Sequence, residues 1–405
     1  FAWNVSQDEI KNIMNSAMKR SDRYRELKRQ NLSPQQIEKI FKTPTPMTVY
    51  SNRGEIDTIM SPIDSIRYYK SFLQTGFMAM EPQTGYVKAW VGGINHKHFK
   101  YDHVKVGRRQ VGSTFKPFVY AMAIQEGYSP CYRIPCVRTC VTTEQGKEWC
   151  PDNSFDGKEK LKYENKLLTL KVGLANSINY MSAELIKRFG ANAVVNLARR
   201  MGITSQMDPV PSICLGTCDA SVFEMVAANS TFANKGTYVQ PTFVMRIEDK
   251  NGKVLEEFVP TTDEVFSEEK AYVMCTLMKG VVQSGTGMGI YRYKLPSNIA
   301  GKTGTTQNNS DGWFIGYTPD LAAGCWVGGE DRSVHFNTME FGQGAKMALP
   351  IWGKFFQKVY NDKTLKVTKN DFEKPASLGD IELDCTKYDK EIGVGEEAFD
   401  DNFDF

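Results

Sequence analysis

Three short groups of residues could do chemistry together. Ser113 and Lys116 stand three apart in Gly112-Ser113-Thr114-Phe115-Lys116-Pro117. If Ser113 opens a helix, the hydroxyl and the amine share one face, one turn apart. Ser177 and Asn179 stand two apart, behind the apolar helical run Leu174-Ala175-Asn176. Lys302-Thr303-Gly304-Thr305 closes an expected strand. The order is Ser-x-x-Lys, Ser-x-Asn, Lys-Thr-Gly, with steps of 64 and 125 residues between Ser113, Ser177 and Lys302. A serine hydroxyl is a weak nucleophile until a base takes its proton. A lysine can be that base once burial or a neighbouring cation lowers its pKa. Such a set would suit a serine nucleophile served by a lysine base, though Ser-x-x-Lys alone is a motif that chance produces often.

Histidine is the usual alternative base, and it is scarce. Of the four, His96, His98 and His103 crowd into one Lys-rich polar stretch, and His335 stands alone. No Gly-x-Ser-x-Gly elbow frames a serine, so a Ser-His-Asp mechanism has no support. His96-x-His98 with Asp102 and His103 offers metal ligands on paper. A solvated loop is the expectation there, and neither a metal nor a cofactor is expected.

The elements that must position these groups follow from periodicity. Residues 6–41 read as helical, with capping-box patterns at Ser6-x-x-Glu9 and at Ser33-Pro34-x-Gln36. Pro44 and Pro46 end that run, and a short strand follows at Met47–Tyr50. Phe77–Met80 and Tyr86–Val91 read as a hairpin about Glu81-Pro82-Gln83-Thr84-Gly85. Helices dominate to about residue 235, among them Val194–Met201 and Val222–Phe232. Asn251-Gly252 marks a hairpin between Phe243–Asp249 and Val254–Val259. Ile299–Lys302, Trp313–Tyr317 and Ala322–Val327 read as strands and Leu349–Tyr360 as a late helix. Strands at both ends with helices between them imply an α+β fold. Trp313, Phe314 and Tyr317 are candidates to line a groove, with core packing expected for two of the three.

Composition bounds the rest. The chain has 405 residues, 41% hydrophobic and 24% charged, as in ordinary globular proteins. The net charge is +3, but the last 45 residues hold 6 lysines against 13 acids. The body is therefore basic and the end acidic. Residues 366–405 read as a disordered, solubilising tail, with Phe399, Phe403 and Phe405 spaced along it for a partner. No apolar run is long enough to span a membrane. The chain opens Phe1-Ala2-Trp3-Asn4, without an initiator methionine, and reads as a fragment of something longer or as a processed form.

Of nine cysteines, Cys131, Cys136, Cys140 and Cys150 form one cluster. Zinc, disulfides and inert buried thiols compete there. No Cys-x-x-Cys pair supports zinc, and local disulfides stand against free thiols on even terms. Buried thiols suit Cys275 and Cys325, in apolar runs. An odd total leaves at least one cysteine unpaired.

Beyond the three motifs, GFMAMEPQTGYVKAWVGG (76–93), RRQVGSTFKPFVYA (108–121), SGTGMGIYRY (284–293) and GKTGTTQNNSDGWFIGYTP (301–319) carry a wider likeness. From about residue 71 to 360 the chain resembles the transpeptidase domain of class A, bifunctional penicillin-binding proteins, in the serine β-lactamase/D,D-peptidase superfamily. Ser-Ile-Asn in place of Ser-Asp-Asn leans away from a class A β-lactamase. The resemblance implies an antiparallel sheet flanked by helices, with an all-helical subdomain and a small helical/β region ahead of it. It divides the chain into a linker region (1–70), a transpeptidase domain (71–365) and the acidic tail (366–405), with a glycosyltransferase domain and a membrane anchor before residue 1.

The implied reaction is peptidoglycan cross-linking. Ser113 attacks the penultimate carbonyl of a stem peptide ending in D-Ala-D-Ala, and an amine of a second stem peptide takes the acyl group. Lys116 is the base, its pKa depressed by Lys302. Ser177 relays the proton, and Asn179 holds the lysine and the substrate backbone. Lys302, Thr303 and Thr305 take the terminal carboxylate, and Gly304 lets substrate lie against the strand edge. Backbone N–H groups of Ser113 and Thr305 form the oxyanion hole. β-Lactams should acylate Ser113, accessory cell-wall proteins are allowed as partners, and nucleic acid is not expected. The implied place is the outer face of a bacterial cell membrane, in the periplasm. A D,D-carboxypeptidase or serine β-lactamase is the near rival, and a non-catalytic β-lactam sensor or scaffold the distant one.

Overall fold

The computed structural model describes residues 1–143, 145–296 and 298–392. Phe399, Phe403 and Phe405, named above as candidate partner contacts, lie outside the described residues.

The body is built on one five-stranded sheet. Its strands are β1 (Leu73–Met80), β2 (Val87–Val91), β3 (Ala300–Thr305), β4 (Asp311–Tyr317) and β5 (Ala322–Gly329). The spatial order is β3-β4-β5-β1-β2, every neighbour antiparallel. All residues of β4 and β5 are buried, because the sheet is covered on both faces; that is why these strands read as unbroken apolar runs. Successive side chains go to opposite faces. Trp313, Ile315, Tyr317 and Trp326 join the core on the side of two helices, Val222–Ala233 and Glu268–Gln283. Phe77, Phe314 and Cys325 join the core under the late helix Leu349–Asn361, where Trp352 stacks on Phe356. Burying Phe314 completely contributes about 1.5–3 kcal/mol. All three aromatics of the Trp313–Tyr317 strand are thus core residues, one more than expected, and none lines a groove.

The helical subdomain lies beside the sheet. We label its helices α1 (Lys116–Gln125), α2 (Leu170–Ala175) and α3 (Asn179–Phe189), which pack with Ala191–Arg200. α1 is buried nearly all round, matching its run Phe-Val-Tyr-Ala-Met-Ala-Ile. Ahead of the body stand Gln7–Arg20, Asp22–Arg29 and Pro34–Lys42, the hairpin Thr45–Ser51 with Gly54–Met60, and the helix Pro62–Lys70. Ser6 and Ser33 cap their helices as the sequence patterns suggest. This region is tied to the body by Lys70, which is buried and pairs with Glu330 (3.2 Å) and Asp331 (2.5 Å). Between Asn251 and Gly252 the expected hairpin forms, but shorter, as Arg246–Glu248 with Val254–Glu257.

Two expectations need correction. The segment after Asn361 is no free tail over its described part. Residues 366–392 run back across the body, with Phe372 buried against Tyr317 and Ile381 and Leu383 packed on the core. Cys385 opens the short helix Cys385–Glu391 and forms a disulfide with Cys131. Second, the histidine stretch is only partly solvated. His103 is buried and stacks on Trp326, and burial pushes its pKa down to about 4. His98 binds Glu55 (2.9 Å), and the three histidines gather no metal-ligand cluster among the described residues. No helix among the described residues is long and apolar enough to cross a membrane.

Candidate active site

Ser113 sits in a 3₁₀ turn, Gly112–Phe115, that runs straight into α1. The turn is pinned from behind. Val111 N–H donates to Cys218 O (3.1 Å) and Gly112 N–H to Gly216 O (3.0 Å). Gly216 has φ +72°, and a Cβ there would lie 2.0 Å from Gly112 O, so no other residue fits. Ser113 is half-buried on the wall of a cleft of about 640 Å³. Ser177, Asn179, Thr303 and Thr305 line the same cleft, while Lys116 and Lys302 are fully buried beneath it. Three motifs far apart in sequence therefore converge.

The amines are bound to one hydroxyl. Lys116 Nζ donates to Ser177 O (2.5 Å), Ser177 Oγ (3.2 Å) and Asn179 Oδ1 (2.6 Å). An ammonium has three protons, so this set uses them all. Lys302 Nζ donates to the same Ser177 Oγ (3.0 Å) and to Thr303 O (3.0 Å). Burial pushes the Lys116 pKa down to about 7. Lys302 is held well below the ordinary lysine value, by burial first and by the Lys116 charge second. Burial is the largest cause for both amines, and the repulsion between Lys116 and Lys302 adds to it. Ser113 Oγ accepts no hydrogen bond from Lys116, whose protons all face Ser177 and Asn179. A base contact to Ser113 needs the amine to lose one proton and turn.

Ser177 owes its position to the end of α2. Its N–H donates to Leu174 O (3.2 Å) and the Ile178 N–H to Gly173 O (2.9 Å). These are the two bonds of a Schellman motif, in which the residue after the cap adopts the left-handed conformation. That residue is Ser177, with φ +57°. Glycine is the usual occupant, because a Cβ costs about 1–2 kcal/mol there. The chain accepts a strained serine where both amines need an acceptor.

Asn179 begins α3, which has no side-chain cap of its own. The cap comes from a loop 26 residues earlier: Asn153 Oδ1 accepts from Asn179 N (2.8 Å) and Tyr180 N (3.3 Å). Asp152 O accepts from Asn179 Nδ2 (2.7 Å). The loop forms one wall of the cleft and follows directly on the disulfide Cys140–Cys150. Of the expected cluster, Cys140 and Cys150 pair locally, Cys131 pairs with the distant Cys385, and Cys136 is a buried free thiol, as are Cys275 and Cys325.

On the strand side, Thr303 Oγ1 bonds Thr286 Oγ1 (2.6 Å), and Thr286 N–H donates to Ala175 O (3.0 Å). The Ser-Gly-Thr-Gly turn thereby ties β3 to the end of α2. Thr305 Oγ1 accepts from Gly344 N (3.1 Å). Gly304 departs from expectation. A Cβ on it would meet Val111 O and Thr114 Cγ2, each at 2.8 Å, so its missing side chain admits the Ser113 turn rather than substrate. Asn153, Asp152 and Thr286 were not among the residues expected at the site. Thr286 lay inside a quoted likeness; Asn153 and Asp152 carry no spacing signal, because they sit in an irregular loop.

Comparison with known proteins gives the family. Residues 75–328 match the family model described as penicillin binding protein transpeptidase domain, and residues 1–73 match that of the penicillin-binding protein middle domain. Penicillin-binding protein 1A of Aquifex aeolicus is 33% identical over 304 residues, 75% of this chain and 40% of the relative. Penicillin-binding protein 2D of Bacillus subtilis is 35% identical over 295 residues, 71% of this chain and 41% of the relative. The chain thus spans about two fifths of the length of these relatives. Among solved structures, penicillin-binding protein 1A from Haemophilus influenzae shares the fold with a TM-score of 0.65 at 23% identity, over 79% of this chain and 51% of that one. PonA1 from Mycobacterium tuberculosis in complex with penicillin V has a TM-score of 0.63 at 22% identity, over 91% and 98%. With more than half of its residues inside the transpeptidase-domain match, the chain belongs to the penicillin-binding protein transpeptidase family.

Proposed function

We propose that this chain is the D,D-transpeptidase part of a bifunctional peptidoglycan synthase. One observation carries the reading: two buried amines share the Ser177 hydroxyl beside the half-buried, unbonded hydroxyl of Ser113. Ser113 attacks the penultimate carbonyl of a stem peptide ending in D-Ala-D-Ala. Lys116, as the neutral amine, takes the Ser113 proton, and Ser177 relays it to the leaving D-alanine. Asn179 keeps Lys116 in place. Lys302, Thr303 and Thr305 receive the terminal carboxylate, and the backbone N–H groups of Ser113 and Thr305 receive the oxyanion. An amine of a second stem peptide then takes the acyl group and frees Ser113, so that peptide bonds broken and made balance.

A penicillin presents a similar amide and carboxylate, and a solved relative of the same fold is described in complex with penicillin V. Residues 1–70 are the linker from a glycosyltransferase domain, and the anchored whole works outside the cytoplasmic membrane. The two disulfides fit that oxidising side. A fluorescent penicillin should label the wild type covalently and leave Ser113→Ala blank. Equal label on both, or none on the wild type, overturns the reading. Release of D-alanine with a cross-linked product, given an amine acceptor, separates a transpeptidase from a carboxypeptidase.

A further inference from the structure

Resting on that reading, we propose that Asn153 is a positioning residue for the acylation step, setting Asn179 against Lys116. The geometry is specific. Asn179 has one amide, and its two ends point to different partners. Its Nδ2 is spent on Asp152 O and its backbone N–H on Asn153 Oδ1, so only Oδ1 is left to face Lys116. The amide orientation follows, since a carbonyl oxygen cannot donate. Asn153 thus fixes the helix start, and its neighbour's carbonyl fixes the side chain. Both come from a stretch without regular structure that begins just after Cys150 of the Cys140–Cys150 disulfide.

The identity of residue 153 adds a second line. Its Nδ2 is covered and has no partner among the described residues, and the second oxygen of an aspartate would be left covered in its place. Aspartate is nevertheless the better charge for a helix N-terminus. What asparagine avoids is a carboxylate close to the Lys116–Asn179 contact, where it would hold the lysine charged. The other titratable groups against Lys116 are Lys302 and the Cys214 thiol; Asp152, paired with Arg138, and Glu159 line the cleft wall. All of these residues are kept when residue 153 is replaced.

The test is the rate of covalent labelling by fluorescent penicillin, from about pH 5 to about pH 9, for wild type, Asn153→Ala and Asn153→Asp. Loss of the cap in Asn153→Ala should lower the plateau by up to about 100-fold, the effect of a misplaced group near the reacting atoms. Its acid limb should move to lower pH, because the Lys116 ammonium loses an acceptor. Asn153→Asp should keep the cap and most of the plateau, with the acid limb moved to higher pH. A role in folding alone would lower the labelled fraction without moving either midpoint. Midpoints that stay with the wild type in both variants overturn the proposal. A wild type that takes no label overturns the Ser113 reading itself, and this inference with it.

Discussion

Replacing Ser177 by glycine and by alanine separates what its backbone costs from what its hydroxyl does. Both substitutions remove the oxygen that Lys116 and Lys302 share. They differ in φ. Ser177 holds +57° with both Schellman bonds made, and alanine must keep that conformation with its Cβ in place. The left-handed conformation costs an L-residue about 1–2 kcal/mol. Glycine escapes this, and returns about 0.5–1 kcal/mol through its freer unfolded chain. The net expectation is Ser177→Gly more stable than Ser177→Ala by about 0.5–1 kcal/mol. For a chain of this size that is a melting-temperature gap of about 0.6–1.2 °C, readable by calorimetry at one scan rate. Acylation by a fluorescent penicillin should fall alike in both, by about 100-fold or more, as for a lost proton-transfer group. Glycine melting at or below alanine refutes the strain argument. Wild-type acylation in either variant refutes the role given to the hydroxyl.

Two further outcomes follow from the same geometry. Burial holds Lys116 near 7, so the neutral amine is present above that pH and lost below it. Acylation should rise through about pH 7 and level off, whereas Lys116→Arg, charged throughout, should be slow at every pH; a wild-type profile in that variant removes Lys116 from the base role. Gly285 approaches α2 so closely that a Cβ would lie 2.1 Å from Ala175 O. Gly285→Ala should therefore cost about 1–3 kcal/mol by overpacking and slow acylation through Thr286 and Thr303, and an unchanged melting temperature with an unchanged rate would refute this.

How much of this was legible in the sequence depends on how local the cause is. The strand pattern of the sheet, the caps at Ser6 and Ser33 and the three motif groups are short-range signals, and the structure carries all of them. The convergence of Ser113, Ser177 and Lys302 came from likeness to a family, since no spacing rule brings residues 64 and 125 apart into one cleft. Ser177 at a glycine-type position gives no local warning, because serine follows many helices without turning left-handed. Asn153 and Asp152 were invisible for a related reason. They act on Asn179 from an irregular loop, and where such a loop lands is decided by the disulfide and by packing, not by periodicity. His103 misled because its neighbours are polar, while its own ring is taken by Trp326.

The charge asymmetry has a similar lesson in the opposite direction. An acidic end on a basic body looks like a solvated tail, yet its described acids meet the body's cations. Asp371 pairs with Lys279, Glu373 with Lys235, and Asp389 with Arg133. The pairs of Asp371 and Glu373, whose carboxylates are exposed, contribute only about 0–1 kcal/mol each, too little to hold a strap by themselves; the Asp389–Arg133 pair is largely buried. Phe372, Ile381 and Leu383 add buried area, and the Cys131–Cys385 bond makes the return irreversible while it is oxidised. That bond lands on the stretch that leads into the site. Lys171 N–H donates to Pro130 O and Lys171 Nζ to Leu383 O, and Lys171 lies in α2, whose end sets Ser177. Asp152 and Asn153, just after the Cys140–Cys150 loop, brace Asn179 from the other side. The two covalent closures therefore flank the Ser177-Ile178-Asn179 corner, and charge complementarity serves to guide the strap to a place that packing and a disulfide then keep.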